Sequence, residues 1–421
     1  MFSSSYITGD FFEQNGFYQN GRKAGIWNEV VYKYFFDEIQ LVKTGVYQQD
    51  KKVGRWKYQY ENVKINGGYY DSKDERQNMK IGKWVDVDDE FQKKKQVIYN
   101  GEYKFGKKVG VWDILFRIGQ NYSLFFKNEQ DDRFKLMQNI LLIVHLYHII
   151  RGGGLYNEDN GLKNGRWIDL YERFSFYSQV TYIGQYKNGK KVGRWDTWFI
   201  LIRINGSAQE NKLMQKYFIN AIFCVNVSGG GLYDEGGEGI KIGQWIELDE
   251  RFSSSSQLTH VGQYENGKKI GRWQIWYQNH STGINSLIGG GKYKKGNECI
   301  KIGKWIEPDE FFKWDSQIIH CGKYRNGLKV GRWDIFYNYW DQNQFVKIGG
   351  GLYDENGHGL KFGQWTELCK HFFGNCNLQN YRIFKGVYMY NKKIGVWVEM
   401  VREKEKMQEG FKIVKEQQYD D

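Results

Sequence analysis

The residues best placed to do chemistry are paired lysines. Lys51-Lys52, Lys107-Lys108, Lys190-Lys191, Lys268-Lys269 and Lys392-Lys393 recur at one position of a repeated phrase, and Arg22-Lys23 stands there in the first copy. A row of such pairs would hold a negatively charged surface through many weak contacts. The plainer reading is a solvated turn whose lysines discourage aggregation. Two metal readings carry less. Asp354-Glu-Asn356-Gly357-His-Gly359 and Asp234-Glu-Gly-Gly237 start like a calcium loop but lack its later oxygen ligands and final Glu. Cys369, His371 and Cys376 have no second ligand pair nearby, as zinc would want. No Ser/His/Asp or Cys/His arrangement recurs, the seven histidines follow no pattern, and the GGG runs lack the rest of a phosphate loop. No catalytic residue, metal or cofactor is therefore expected.

The elements that must position the lysines come from a repeat. Its short form is clearest in Gly184-Gln-Tyr186-Lys-Asn-Gly189-Lys-Lys-Val-Gly193-Arg-Trp195. Gly262 to Trp273 (with Tyr264) and Gly322 to Trp333 (with Tyr324) match closely, while Gly16 to Trp27, Gly45 to Trp56, Gly101 to Trp112 and Gly386 to Trp397 are looser. In all seven copies Tyr and Trp are nine residues apart. A longer form alternates with it: Gly229-Gly-Gly-Leu-Tyr233, an acidic glycine-rich loop, then Lys241-Ile-Gly243-Gln-Trp245. Related copies end at Trp84, Trp167, Trp305 (after Tyr293) and Trp365 (after Tyr353), with Tyr-to-Trp distances of 11 to 14. An acidic phrase follows, as in Ile246-Glu-Leu-Asp-Glu-Arg-Phe252. Trp245, Trp305 and Trp365 are 60 residues apart, so the two forms make a composite repeat. Twelve units span roughly residues 9 to 400, which leaves no room for a separate catalytic domain.

Each unit reads as a β-hairpin. Tyr182, Gly184 and Tyr186 are two apart and share a strand face; Asn188-Gly189 tolerates positive φ; Trp195, Thr197 and Phe199 again share a face. One hairpin is marginal alone, but hairpins paired edge to edge bury their aromatics in ladders. The expected fold is all-β: an elongated array of about twelve antiparallel hairpins in a continuous twisted meander sheet. The repeat array is assigned to residues 1–401, with insertions near 117–150 and 203–227, and a charged tail or short helix to 402–421. Both insertions carry a Lys-Leu-Met-Gln phrase (Lys135 to Gln138, Lys212 to Gln215) and then an apolar stretch. They read as degenerate hairpins, docking segments or translated intron.

Composition agrees with an array. Of 421 residues 51 are glycine and one is proline, and aromatics make up 18%, too many for a disordered chain. The net charge of +12 permits anionic lipid, nucleic acid or acidic proteins as partners without choosing among them. Five cysteines at unrelated repeat positions suggest reduced thiols in a cytoplasmic protein. No signal peptide is expected, and the longest apolar run, Ile140 to Ile150, is too short to span a bilayer. Basic charge among aromatics also suits single-stranded nucleic acid, but these aromatics occupy fold-defining positions.

Tyr182-Ile-Gly-Gln-Tyr-Lys-Asn-Gly-Lys-Lys-Val-Gly193 resembles a MORN repeat, a pattern opening Tyr-x-Gly and continuing with spaced glycines. Trp195 departs from it, standing where that repeat has glycine. The Gly-x-Trp ending is similar to MORN-variant repeats of antitoxin-like bacterial proteins and of single-celled eukaryotes. The resemblance covers nearly the whole chain. It implies an elongated hairpin sheet with roles in scaffolding, cytoskeletal attachment, self-association or anionic phospholipid binding, and it brings no catalytic residues. The long acidic units and GGG phrases depart from the pattern. Together these readings favour a non-catalytic scaffold or adaptor that binds proteins, or itself, with a membrane adaptor using the lysine tips as the alternative. Nucleic-acid binding and an antitoxin-like role are minor alternatives, and no small-molecule substrate is expected.

Overall fold

Asn188 and Gly189 have φ of 50° and 82°, the left-handed pair a two-residue hairpin turn requires. They join two antiparallel strands, and this step repeats along the chain. The structure, a computed structural model, describes residues 15–33, 40–60, 63–72, 78–92, 95–117, 152–175, 177–201, 224–279, 282–296, 298–338, 344–369, 380–403 and 409–420. Every regular element among them is a β-strand, so the all-β expectation holds. Beyond their flanks, the two expected insertions lie outside the described residues.

The chain forms two units, residues Met1–Asn226 with Glu235–Gly239, and Val227–Asp234 with Ile240–Asp421. In the first, strands β1 (Asn15–Gln19), β2 (Arg22–Lys33), β3 (Gln40–Gln48), β4 (Lys51–Tyr60), β5 (Val63–Tyr70), β6 (Lys80–Val87), β7 (Gln96–Lys104), β8 (Lys107–Arg117), β9 (Gly152–Tyr156), β10 (Lys163–Leu170), β11 (Gln179–Lys187) and β12 (Lys190–Leu201) form an antiparallel meander. The strand β13 (Cys224–Tyr233) begins the second. There β14 (Lys241–Leu248), β15 (Leu258–Glu265), β16 (Lys268–Gln278), β17 (Asn285–Tyr293), β18 (Lys301–Pro308), β19 (Gln317–Arg325), β20 (Leu328–Asn338), β21 (Phe345–Tyr353), β22 (Lys361–Leu368), β23 (Asn380–Met389), β24 (Lys392–Glu403) and β25 (Lys412–Tyr419) continue in the same manner. Among the described residues each strand pairs only with its neighbours in the chain. The expected tail from 402 instead holds the end of β24 and all of β25, because Tyr419 sits opposite Gly395 and its ring lies 6.3 Å from Trp397. A charged composition hid one more strand of the pattern.

The two glycines of each unit do different work. Gly271 has φ of 64°, and the ladder skips from Gln263↔Ile270 to Val261↔Gln274 around it. This bulge turns Trp273 onto the backbone of Gly262, where a Cβ would come within 2.2 Å of the indole. The GGG phrases extend that close approach. A Cβ at Gly290 would meet the Trp273 carbonyl at 2.1 Å, and one at Gly291 would meet Trp305 at 2.1 Å.

Candidate binding faces

The aromatic face of each unit is one zigzag ladder. In the second unit it runs Tyr233, Trp245, Tyr264, Trp273, Tyr293, Trp305, Tyr324, Trp333, Tyr353, Trp365, Tyr388, Trp397 and Tyr419, edge to face, with centroids 5.0–6.3 Å apart. In the first unit it ends with Tyr186 and Trp195, 5.1 Å apart. Edge-to-face contact sets the positive ring edge on the negative face of the next ring. The indoles are buried, so the ladder is internal structure, not the uncovered aromatic surface a partner would cover.

The paired lysines part company. The second of each pair folds back over its own indole: Lys23, Lys52, Lys108, Lys191, Lys269 and Lys393 lie 3.9–4.5 Å from the centroids of Trp27, Trp56, Trp112, Trp195, Trp273 and Trp397. The long units do the same through Lys80, Lys163, Lys241, Lys301 and Lys361, at 4.3–4.8 Å. The first residue of the pair stays at the turn. Arg22, Lys107, Lys190, Lys268 and Lys392 are exposed, while Lys51 is half-buried and Lys190 is bound to Glu238 at 2.6 Å. At this position the turns therefore present one cation instead of two, and none in the unit ending at Trp333, where Leu328 stands. The first two short-unit turns are two strands apart, and later ones within a unit are four strands apart, or about 19 Å.

The acidic phrase completes the lysine geometry. Glu247 takes Lys241 at 2.5 Å, Lys269 at 2.8 Å and the Tyr264 hydroxyl at 2.7 Å. Burial alone would raise its pKa, but the two ammonium groups outweigh burial and hold it at about 2. Glu29 is clamped alike by Lys23, Lys52 and Tyr47, and Glu367 by Lys361, Lys393 and Tyr388. Asp86 and Asp169 take one lysine and one tyrosine each. Two residues on, Asp249 accepts the Arg251 amide at 3.0 Å, forming the turn that seats buried Phe252. Its other oxygen lies 2.9 Å from His260 Nε2. His320 meets Asp309 in the same way at 2.8 Å. These two histidines, 60 residues apart, do follow the composite repeat, a pattern the sequence reading missed.

The constant lysine was also legible and missed, since Lys-x-Gly-x-Trp stands in all twelve units. Of the metal candidates, Asp354 is spent on its own loop, accepting the Leu360 amide at 2.8 Å and the His358 amide at 3.2 Å. Asp234 accepts the Ile240 amide at 2.6 Å. Cys369 is a half-buried thiol, and His371 and Cys376 lie outside the described residues. Among the described residues no three His, Cys, Asp or Glu gather as a metal site. One hollow of about 340 Å³ in the first unit lies among Lys95, Lys108, Tyr99 and Asp169, and a shallower one of about 470 Å³ in the second among Lys269, Cys299 and Lys301. No described helix is long and apolar enough to cross a membrane.

The face opposite the ladder is mixed, with apolar side chains among polar ones. In the first unit Ile26 pairs with Val46 beside Phe17, all three exposed, and Val111 pairs with exposed Leu155. The chain matches no family model and no curated protein sequence.

Proposed function

We propose that this protein is a non-catalytic scaffold or adaptor that binds other proteins, or itself, through the face opposite its aromatic ladder. One observation carries the reading: Ile26 on β2 pairs with Val46 on β3, Phe17 on β1 pairs with Ala24 two residues from Ile26, and the three are 67%, 38% and 55% exposed. Contiguous apolar side chains on a solvated sheet face mark a contact surface. The ladder behind them is closed by lysines and supplies rigidity. The resemblance to MORN repeats supports the same reading.

Sedimentation over a range of concentrations tests it, together with proximity labelling of wild type and Ile26→Glu/Val46→Glu. The reading expects self-association, or a set of labelled neighbours, that the double variant weakens by about tenfold or more. A monomer with neighbours indifferent to both substitutions would sink it.

The turns give the membrane-adaptor reading its own support. Phe105, at φ 49° between Lys104 and Lys107, is 70% exposed, and Leu162 is 43% exposed. Exposed apolar side chains beside cations suit the boundary of an anionic bilayer. Flotation with anionic and neutral vesicles decides it: salt-sensitive binding to anionic vesicles alone, lost in Phe105→Ser, is the expected result. Equal flotation of Phe105→Ser, or none by wild type, would dismiss it.

A further inference from the structure

The second unit carries a row of cations that the sequence scatters over sixty residues. Arg272 on β16 pairs directly with Lys292 on β17, and Lys304 on β18 pairs with Lys323 on β19. Arg332 stands on β20 at the same repeat position as Arg272 and Lys304, one residue before its Trp. Paired residues share a face, and these side chains lie on the face opposite the indoles. All five are exposed. Among the described residues only Arg332 of the five has an ion pair, with Asp334 at 2.7 Å. At one cation per strand, the row is about 19 Å long.

Its surroundings narrow the occupant. On one side of the row Ile302 and Val330 lie opposite Lys292 and Lys323, Arg325 beyond Lys323 is paired with Glu355 at 4.0 Å, and Lys294 lies past the end of β17. Ile306 and Cys321 pair on the other. Gln263 on β15 and Leu352 on β21 close its ends without charge. A bilayer would draw on a two-dimensional field of cations, whereas a single file suits a linear polyanion. Among the described residues no exposed aromatic ring stands on β16 to β20 to stack bases, which disfavours a single nucleic-acid strand. An extended polypeptide sets side chains on one face at about 6.6 Å intervals, so about three carboxylates span the row, within reach of long lysine and arginine side chains. In the first unit the equivalent row is interrupted: Arg55 by Tyr69, Lys83 by Glu102, and Arg166 by Gln185.

We infer that the row Arg272–Lys292–Lys304–Lys323–Arg332 docks an acidic, extended polypeptide segment of a partner protein. The inference rests on the protein-scaffold reading and names the chemistry of one partner. It is tested apart from the apolar patch, whose variants leave this row intact.

The experiment is fluorescence anisotropy of a labelled poly-glutamate peptide, at low and at physiological salt, against three full-length proteins. They are the wild type, Lys292→Glu/Lys304→Glu/Lys323→Glu, and a control of equal charge, Lys190→Glu/Lys268→Glu/Lys392→Glu, at the turns. Circular dichroism confirms that each is folded, and Lys→Gln versions replace any that is not. The expected result is salt-sensitive binding that the row variant weakens by about tenfold or more and the turn variant by no more than about twofold. Absence of binding, or equal loss in both variants, overturns the inference. So does displacement of the peptide at lower concentration by oligothymidylate or by phosphatidylserine vesicles, which would assign the row to nucleic acid or membrane. If the row binds poly-glutamate while Ile26→Glu/Val46→Glu changes nothing in sedimentation or labelling, the apolar-patch reading fails and the row stands.

Discussion

Glu247 on β14 lies 2.8 Å from the Nζ of Lys269 on β16, two strands away. The ion pair spans the strand between them and ties a long unit to the short unit that follows. Lysine over indole, carboxylate beside lysine, and tyrosine hydroxyl on carboxylate form one linked contact.

That linkage predicts acid sensitivity. Glu247 titrates at about 2 against an ordinary 4.5, and Glu29, Glu367, Asp249 and Asp309 are all lowered too. A carboxylate with a depressed folded pKa stabilises fully above its unfolded value, and that contribution is lost as pH falls toward the folded one. Unfolding followed by tryptophan fluorescence should therefore hold steady down to about pH 4.5 and fall steeply toward about pH 2. Glu247→Gln should cost about 2 kcal/mol at neutral pH and flatten that slope. An unchanged slope would mean that other groups set acid stability.

Gly262 and Gly271 should fail for different reasons. A Cβ at Gly262 enters the Trp273 ring, so Gly262→Ala should cost about 3 kcal/mol. Gly271 has open space but φ of 64°, so Gly271→Ala should cost about 1 kcal/mol through backbone strain alone. Gly410, with neither constraint, should tolerate alanine. Chemical denaturation of the three variants checks the order; equal losses at 262 and 271 would refute the division of labour.

Local chemistry explains what the sequence disclosed. Asn188-Gly189 announces its turn, and Tyr186 with Trp195 announces the shared face, because both depend on neighbours a few residues away. The lysine pair misled because adjacency suggested one surface, whereas alternation along β12 sends Lys190 outward and Lys191 over Trp195. The cation row was hidden for a different reason. Lys292 and Lys304 lie twelve residues apart across an irregular loop, and only strand register sets Lys292 opposite Ile302, two residues from Lys304, and Lys304 opposite Lys323. Neither the meaning of Glu247 nor that of His260 could be read without the partner strand.

The ladder should fray locally when broken. Trp273 touches Tyr264 and Tyr293, each on an adjacent strand. Trp273→Ala should cost about 4 kcal/mol, felt mainly by β15, β16 and β17, because units in such an array are held by their neighbours. Hydrogen exchange should show lost protection there, with β22 to β24 unchanged. Uniform loss along the unit would show a single cooperative fold.

Lys43 makes the last case, because it is a buried cation whose two influences oppose each other. Burial drives its pKa from 10.5 to about 8, with Lys52 and Lys80 adding repulsion. Against this, the faces of Trp56, Tyr58, Tyr70 and Trp84 lie 5.1–5.7 Å from its Nζ, and the Tyr70 hydroxyl is 3.2 Å away. Ring contacts of this kind contribute about 0.5–1 kcal/mol each at best distance and less here, while a lowering of this size costs about 3 kcal/mol. Desolvation therefore wins. A lysine whose folded pKa is lowered binds its proton less well folded than unfolded, so stability should rise as pH climbs from about 8 to about 10. Lys43→Met keeps the packing, removes the charge, and should stabilise by about 1–2 kcal/mol at neutral pH while abolishing that rise. Thermal midpoints of both proteins across this pH range decide it, and a less stable Lys43→Met would mean that the four rings hold the ammonium more strongly than burial expels it.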